Sequence, residues 1–179
     1  MSYDYMWVDS PVGKLQLVAK GDALAAILWE VDRPNRVKLE SKVENKHSAV
    51  LRTVAQQLSE YFAGKRDRFD VKLDFKGTAF QKKVWAALLT IPFGETRSYG
   101  QIAEQIGHPS AVRAVGAANG RNPISIIAPC HRVIGATGAL TGFAGGMRAK
   151  QVLLTVEGCL IEGGKAVEKM ADRQQSLFA

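Results

Sequence analysis

Cysteine is nearly missing from this chain, with two in 179 residues, and histidine is almost as scarce at three. No Cys-x-x-Cys pair or histidine cluster occurs, which excludes a disulfide-stapled scaffold and argues against a structural or catalytic metal. Long apolar runs are missing too, so no segment reads as a membrane span. The start, Met-Ser-Tyr-Asp-Tyr-Met-Trp, has neither the basic residues nor the apolar stretch of a signal peptide. No internal repeat or low-complexity segment is present. The expectation is a cytoplasmic protein with both thiols reduced, no cofactor, no metal and no membrane partner.

Acidic residues are the next scarcity, and they are scarce in one region only. Residues 1–74 carry 12 Lys and Arg against 11 Asp and Glu, residues 75–160 carry 9 against 3, and residues 161–179 carry 3 against 3. Most of the net charge of +7 therefore lies in the second segment. A basic domain suits a polyanionic partner, with phosphate attraction supplying affinity that falls with salt. An uncommitted basic surface would look the same from charge alone.

The rare residues meet in Ala128-Pro-Cys-His-Arg. A thiol attacks as thiolate, so it needs a basic or cationic neighbour, and His131 and Arg132 supply both kinds next to Cys130. A lone buried cysteine is more commonly an inert core residue, and only its neighbours shift that balance. Pro123 and Pro129 stiffen the loop before Cys130, and Ile124, Ile126 and Ile127 between them read as buried. The glycines after Val133 suggest a short hairpin or wing. Successive side chains on extended backbone diverge, so His131 is expected to reach Cys130 through a water or a local turn, with a third group to orient its ring. Glu157 fits that need. It ends the apolar helix Met147 to Val156, where an acid opposes the helix dipole, although a solvated acid is the competing reading.

Three short β-like runs, Tyr3 to Asp9, Lys14 to Lys20 and Ala23 to Glu30, read as an antiparallel meander, and a helix from about Ser48 follows, stopped at Gly64. From Lys65 to Gly77 the chain reads as a linker. Beyond it, Thr78-x-x-Gln81 and Ser98-x-x-Gln101 are capping boxes that open two helices. Gly107 ends the second, and His108-Pro109-Ser110 leads into a third helix, Ser110 to Asn119, completing a helix-turn-helix pattern. On that third helix Val112, Val115 and Asn119 fall on one side, while Arg113, Gly116, Ala117 and Gly120 fall on the other. This second side is almost bare. It suits close approach to a DNA backbone or minor groove with Arg113 as the projecting group, or else packing against another helix.

Several blocks together carry a resemblance: Phe80-Gln-Lys-Lys-Val-Trp, Ile91-Pro-Phe-Gly-Glu-Thr-Arg-Ser-Tyr-Gly, Arg113-Ala-Val-Gly-Ala-Ala-Asn, Asn122-Pro, Pro129-Cys-His-Arg-Val, Gly142-Phe-Ala-Gly-Gly and Leu153-Leu-Thr-Val-Glu-Gly. From Thr78 to Gly158 the chain resembles the catalytic domain of the O6-alkylguanine-DNA alkyltransferases, closest in layout to the stand-alone bacterial type. The resemblance implies an α/β (α+β) chain. Its parts are a small ribonuclease-H-like domain with an antiparallel sheet (1–74), a mostly helical winged helix-turn-helix domain (75–160) and a tail (161–179), read as a mobile end or a partly ordered helix. It implies a monomer that binds duplex DNA through the minor groove and flips out O6-alkylguanine, with O4-alkylthymine left open. The alkyl group then passes irreversibly to Cys130, with His131, Glu157 and Asn122 in support. Gln81, Tyr99, His108, Arg113, Gly116 and Ala117 would face the DNA, and Val133, Phe143 and Ala144 the base pocket. Phe143 stands where many relatives have tyrosine, and Ala144 where some have serine, so a hydroxyl contact to the base is lost there. Two rivals stay open on the residues alone: a winged-helix regulator with an inert or redox-sensing Cys130, and a thiol hydrolase that turns over a small ester or amide.

Overall fold

In the computed structural model, which describes residues 2–169, the N-terminal sheet has the strand order β3-β2-β1-β4. Strands β1 (Tyr3–Val8), β2 (Leu15–Lys20) and β3 (Ala23–Trp29) form the expected antiparallel meander. The fourth, β4 (Lys42–Glu44), adds parallel to β1, so the sheet is mixed rather than purely antiparallel. Its three exposed residues, Lys-Val-Glu, are too few to announce a strand by alternation. Helix α1 (Ala49–Phe62), capped by the Ser48 side chain, lays Leu51, Val54, Leu58 and Tyr61 on the sheet.

Both capping boxes form as the sequence predicts. Thr78 opens α2 (Ala79–Leu88) and Ser98 opens α3 (Tyr99–Gln105), each with the reciprocal glutamine bond. Helix α4 (Val112–Gly120) follows α3 after a short turn, and the indole of Trp85 on α2 donates to the Ala118 carbonyl at 2.8 Å, fixing α4 against α2. Val115, Ala118 and Asn119 are buried, whereas Val112, expected with them, stands in the first turn of α4 and is 41% exposed.

The edge of β3 decides where the active-site loop lies. The Leu24 amide donates to the Lys72 carbonyl and the Asp74 amide to the Leu24 carbonyl, so part of the expected linker pairs with this edge. Farther along, the Ile27 amide donates to the Pro123 carbonyl. Ile124, Ile126, Ile127 and Ala128 thus join the core beneath the sheet, together with Leu153 of α5 (Met147–Val156). Burying these apolar residues anchors the loop to the N-terminal half.

Two expectations fail beyond Cys130. The glycine-rich stretch forms no hairpin of its own. Short β6 (Val133–Ile134) pairs parallel with β5 (Arg97–Ser98), and Gly135 to Ala139 is a turn. The hairpin is instead β7 (Cys159–Glu162) with β8 (Lys165–Lys169), which replaces the mobile or helical tail expected from residue 161. Turn and hairpin are joined by the bridge Ala139 to Lys165, a long-range pairing that no local pattern reveals. Residues 170–179 of that expected tail lie outside the described residues.

Candidate active site and its relatives

Cys130, His131 and Arg132 form a single 3-10 turn at the end of the loop, not extended backbone. Cys130 is 3% exposed. Asn122 braces the loop from inside: its amide donates to the Ala128 carbonyl at 2.8 Å, and its side-chain oxygen accepts the Ile124 amide at 3.0 Å. Within this loop Ile126 has φ of 76°, a left-handed backbone that a β-branched residue rarely adopts. Such a conformation costs about 1–3 kcal/mol and persists only where the surroundings over-determine it. Here the Asn122 bonds and the buried isoleucines do so. An isoleucine gives no sequence signal of this kind.

Glu157 closes α5 as its C-cap, and its carboxylate accepts five hydrogen bonds. Oε2 takes the Tyr61 hydroxyl at 2.6 Å, His131 Nε2–H at 2.7 Å and Arg132 Nη2 at 3.0 Å. Oε1 takes Arg132 Nε at 2.7 Å and the Gly94 amide at 3.2 Å. Burial alone would raise its pKa, but the His131 and Arg132 contacts prevail and hold it well below the usual carboxylate range. The acid that looked misplaced at a helix end is thus a buried anchor. Arg132, read from the sequence as a cation for the thiol, spends its fork on Glu157 and on the Ile91 carbonyl.

Locking Nε2–H onto Glu157 leaves His131 Nδ1 as the acceptor, and that nitrogen is buried with no protein partner among the described residues. Burial lowers the His131 pKa, which keeps the ring neutral and able to take a proton. Burial pushes the Cys130 thiol up, opposed by a hydrogen bond from Asn122 and by the charges of Arg36 and Lys150. The geometry is that of a resting thiol beside a neutral, oriented base.

Lys150 is a site residue that the sequence did not reveal. It is fully buried, and its ammonium donates to the carbonyls of Val133 at 2.7 Å and Thr141 at 3.4 Å, tying β6 to the loop that carries Phe143 and Ala144. Phe143 stacks edge-on against Trp29 at 5.4 Å, and Gly145 lies so close to Trp29 that a Cβ would sit 2.6 Å from its ring. Tyr99 is hydrogen-bonded to Thr141. Position 150 falls on the apolar face of α5, and that placement was the available signal.

Burial lowers the Lys150 pKa to about 8 from the usual 10.5, while the tyrosine pKa of Tyr61 is raised, by burial first and then by Glu157. From about pH 8 to 10.5 the unfolded lysine holds a proton that the folded one has lost, so stability rises with pH across that window. Above about pH 10 the unfolded tyrosine ionises and the folded one does not, so stability falls. Denaturant unfolding over a pH series should therefore show stability rising from about pH 8 and turning over near pH 10, and Lys150→Met should remove the rising limb.

The residues expected to face DNA differ in exposure. His108, Arg113 and Ala117 are exposed, Gln81, Tyr99 and Gly116 are half-buried, and the ring of Tyr99 lies 3.9 Å from where a Cβ on Gly116 would stand. His108 packs edge-on against Phe80 at 6.0 Å. Val133 is buried, while Phe143 and Ala144 are half-buried, with Phe143 packed against the cluster that holds Cys130 and Val133. Cys159 is buried with its thiol toward the Gly94 carbonyl at 3.8 Å, and neither cysteine is in a disulfide. Among the described residues no group of His, Cys, Asp and Glu is arranged to hold a metal, and no helix is long and apolar enough to cross a membrane.

Residues 1–75 match the 6-O-methylguanine DNA methyltransferase ribonuclease-like domain, and residues 79–159 match the DNA binding domain of the same family. The chain is 52% identical over 155 residues to the methylated-DNA--protein-cysteine methyltransferase of Mycobacterium tuberculosis, covering 86% of this chain and 91% of that one. It is 49% identical over 154 residues to the Methanosarcina acetivorans protein of the same name, covering 86% and 97%. The crystal structure of Mycobacterium tuberculosis OGT in complex with DNA superposes with a TM-score of 0.79 at 50% identity, over 86% of this chain and 92% of that one. A hyperthermophilic relative from Pyrococcus kodakaraensis, at 21% identity and TM-score 0.51, shares the fold. With both halves matched and the likeness running nearly end to end, this chain belongs to the 6-O-methylguanine DNA methyltransferases.

Proposed function

We propose that the protein repairs O6-alkylguanine in duplex DNA by moving the alkyl group onto Cys130, once per molecule. The observation that carries this reading is the buried turn in which Cys130 adjoins a neutral His131, whose Nε2–H is fixed by Glu157 and whose Nδ1 is left open. An alkyl group on O6 of a stacked guanine is out of reach, so the nucleotide must be rotated out of the helix toward that turn. Helix α4 offers its bare face to the minor groove, and Arg113 occupies the gap left by the base. Gln81 and His108 meet the backbone, and Tyr99 lies beside the extruded nucleotide. Val133, Phe143 and Ala144 border the base.

His131 takes the thiol proton through a water, and the thiolate attacks the alkyl carbon. The new S–C bond forms as the C–O6 bond breaks, its electron pair leaves on guanine, and guanine gains a proton. The thioether has no route back to a thiol here, so the protein is consumed. It acts as a monomer in the cytoplasm, where both cysteines stay reduced. A methyl-labelled duplex tests this. After digestion the label should map to the peptide containing Cys130 and not to that containing Cys159. A DNA-binding regulator would carry no label, and a thiol hydrolase would turn over a small ester without retaining any.

Arg113→Ala should slow transfer from paired duplex most, from mispaired duplex less and from free O6-alkylguanine base least, because stacking and pairing oppose extrusion in that order. Equal losses on the three substrates would place Arg113 in support of the active site rather than in base extrusion.

A further inference from the structure

The N-terminal loop around residues 32–36 is clipped to the end of α4 by three arginine-to-carbonyl bonds. Arg33 Nη2 donates to Gly120 at 3.2 Å, Arg121 Nη1 donates to Asn35 at 3.3 Å, and Arg36 donates to Asn122. Their charges are not equivalent. Arg36 is neutralised by Asp32, whose two oxygens accept its Nε at 2.7 Å and Nη2 at 2.8 Å. Arg33 and Arg121 are exposed and have no ion pair among the described residues. Between them lies a hollow of about 260 Å³, bordered also by Gly116, Ala117 and Gly120 of α4.

Small residues let a polymer backbone come close, and a Cβ on Gly120 would already stand 3.2 Å from the Arg33 guanidinium. A guanidinium has five N–H donors, and each of these two spends only one on a carbonyl. The remaining donors of two forks flank one concave surface whose third arginine, Arg36, is already paired with Asp32, the arrangement that takes a phosphate. We propose that Arg33 and Arg121 form a subsite for one phosphodiester of the duplex beside the DNA-facing residues of α4, so that the N-terminal domain takes part in holding DNA. This rests on the DNA-repair reading given above.

The competing role for Arg33 is to cap the carbonyl end of α4, which a neutral donor would also do. Arg33→Gln and Arg121→Gln keep a donor and remove the charge, so the readout is binding to an undamaged duplex across a salt series. The double variant should lower the slope of log affinity against log salt by about one, the signature of one lost phosphate contact, with affinity down roughly tenfold at low salt. Arg33→Lys should restore the slope without the full affinity, since it returns charge but not the fork. Transfer from free O6-alkylguanine base should stay at the wild-type rate.

An unchanged slope in the double variant, with wild type binding normally, overturns the subsite and leaves the repair reading standing. A parallel loss with free base would show that the loop props the active site, and would overturn it as well. Failure of wild type to bind duplex at all would remove both readings.

Discussion

Cys130→Ser should abolish alkyl transfer while leaving duplex affinity within about twofold of wild type, because the thiol is the acceptor atom and carries none of the phosphate attraction. Serine keeps the size of the side chain inside a turn where Cys130 is 3% exposed, so the fold is preserved and the loss is chemical. A hydroxyl is a far weaker acid than a thiol and a poorer nucleophile toward an alkyl carbon, so the neutral His131 of this turn cannot supply an equivalent attacking group from serine. Cys159→Ser should transfer at the wild-type rate, since that thiol points to the Gly94 carbonyl. Both results can be read from a single set of label-transfer and fluorescence-anisotropy measurements.

Glu157→Gln should be the most damaging substitution away from the thiol, and in two separable ways. Arg132 and Glu157 form a buried pair with contacts of 2.7 and 3.0 Å, so removing the negative charge strands the guanidinium. Breaking such a pair from one side costs about 3–5 kcal/mol of stability, which denaturant unfolding will measure. Transfer should also slow by about 10²–10⁴-fold, because His131 loses the acceptor that fixes its tautomer and aims Nδ1. His131→Gln should slow transfer comparably without stranding Arg132. The double variant should then be much less than multiplicatively slower than either single one, since the two residues act as one unit. Strict multiplicativity in rate would leave Glu157 as a structural anchor for Arg132 alone.

Local rules made much of this fold legible. The capping boxes at Thr78 and Ser98 place α2 and α3, Ser48 and Gly64 bound α1, and alternation finds β1 to β3. What escaped reading depends on distant partners. Strand β4 exists because β1 offers an edge, and the hairpin of residues 159–169 is held to the turn at Ala139. Ile124 to Ala128 were readable as buried, but only the structure shows that they lie beneath the N-terminal sheet.

The site divides in the same way. Cys130 and His131 stand out because cysteine and histidine are rare, and Glu157 because an acid at a helix end calls for a reason. Tyr61 and Lys150 look like ordinary helix residues until folding buries the one hydroxyl on Glu157 and the other ammonium on the Val133 carbonyl. Arg132 was visible but assigned to the wrong partner, since neighbours in sequence need not share a face once the backbone turns.

The stoichiometry of transfer tests a consumed thiol acceptor most directly. Wild-type protein given a large excess of methyl-labelled O6-methylguanine duplex should take up label to one methyl per molecule and stop, with guanine restored within the duplex in equal amount. Continued demethylation of the duplex beyond that ratio, or demethylation with no label on Cys130, would contradict a consumed thiol acceptor and return the site to a turning-over hydrolase.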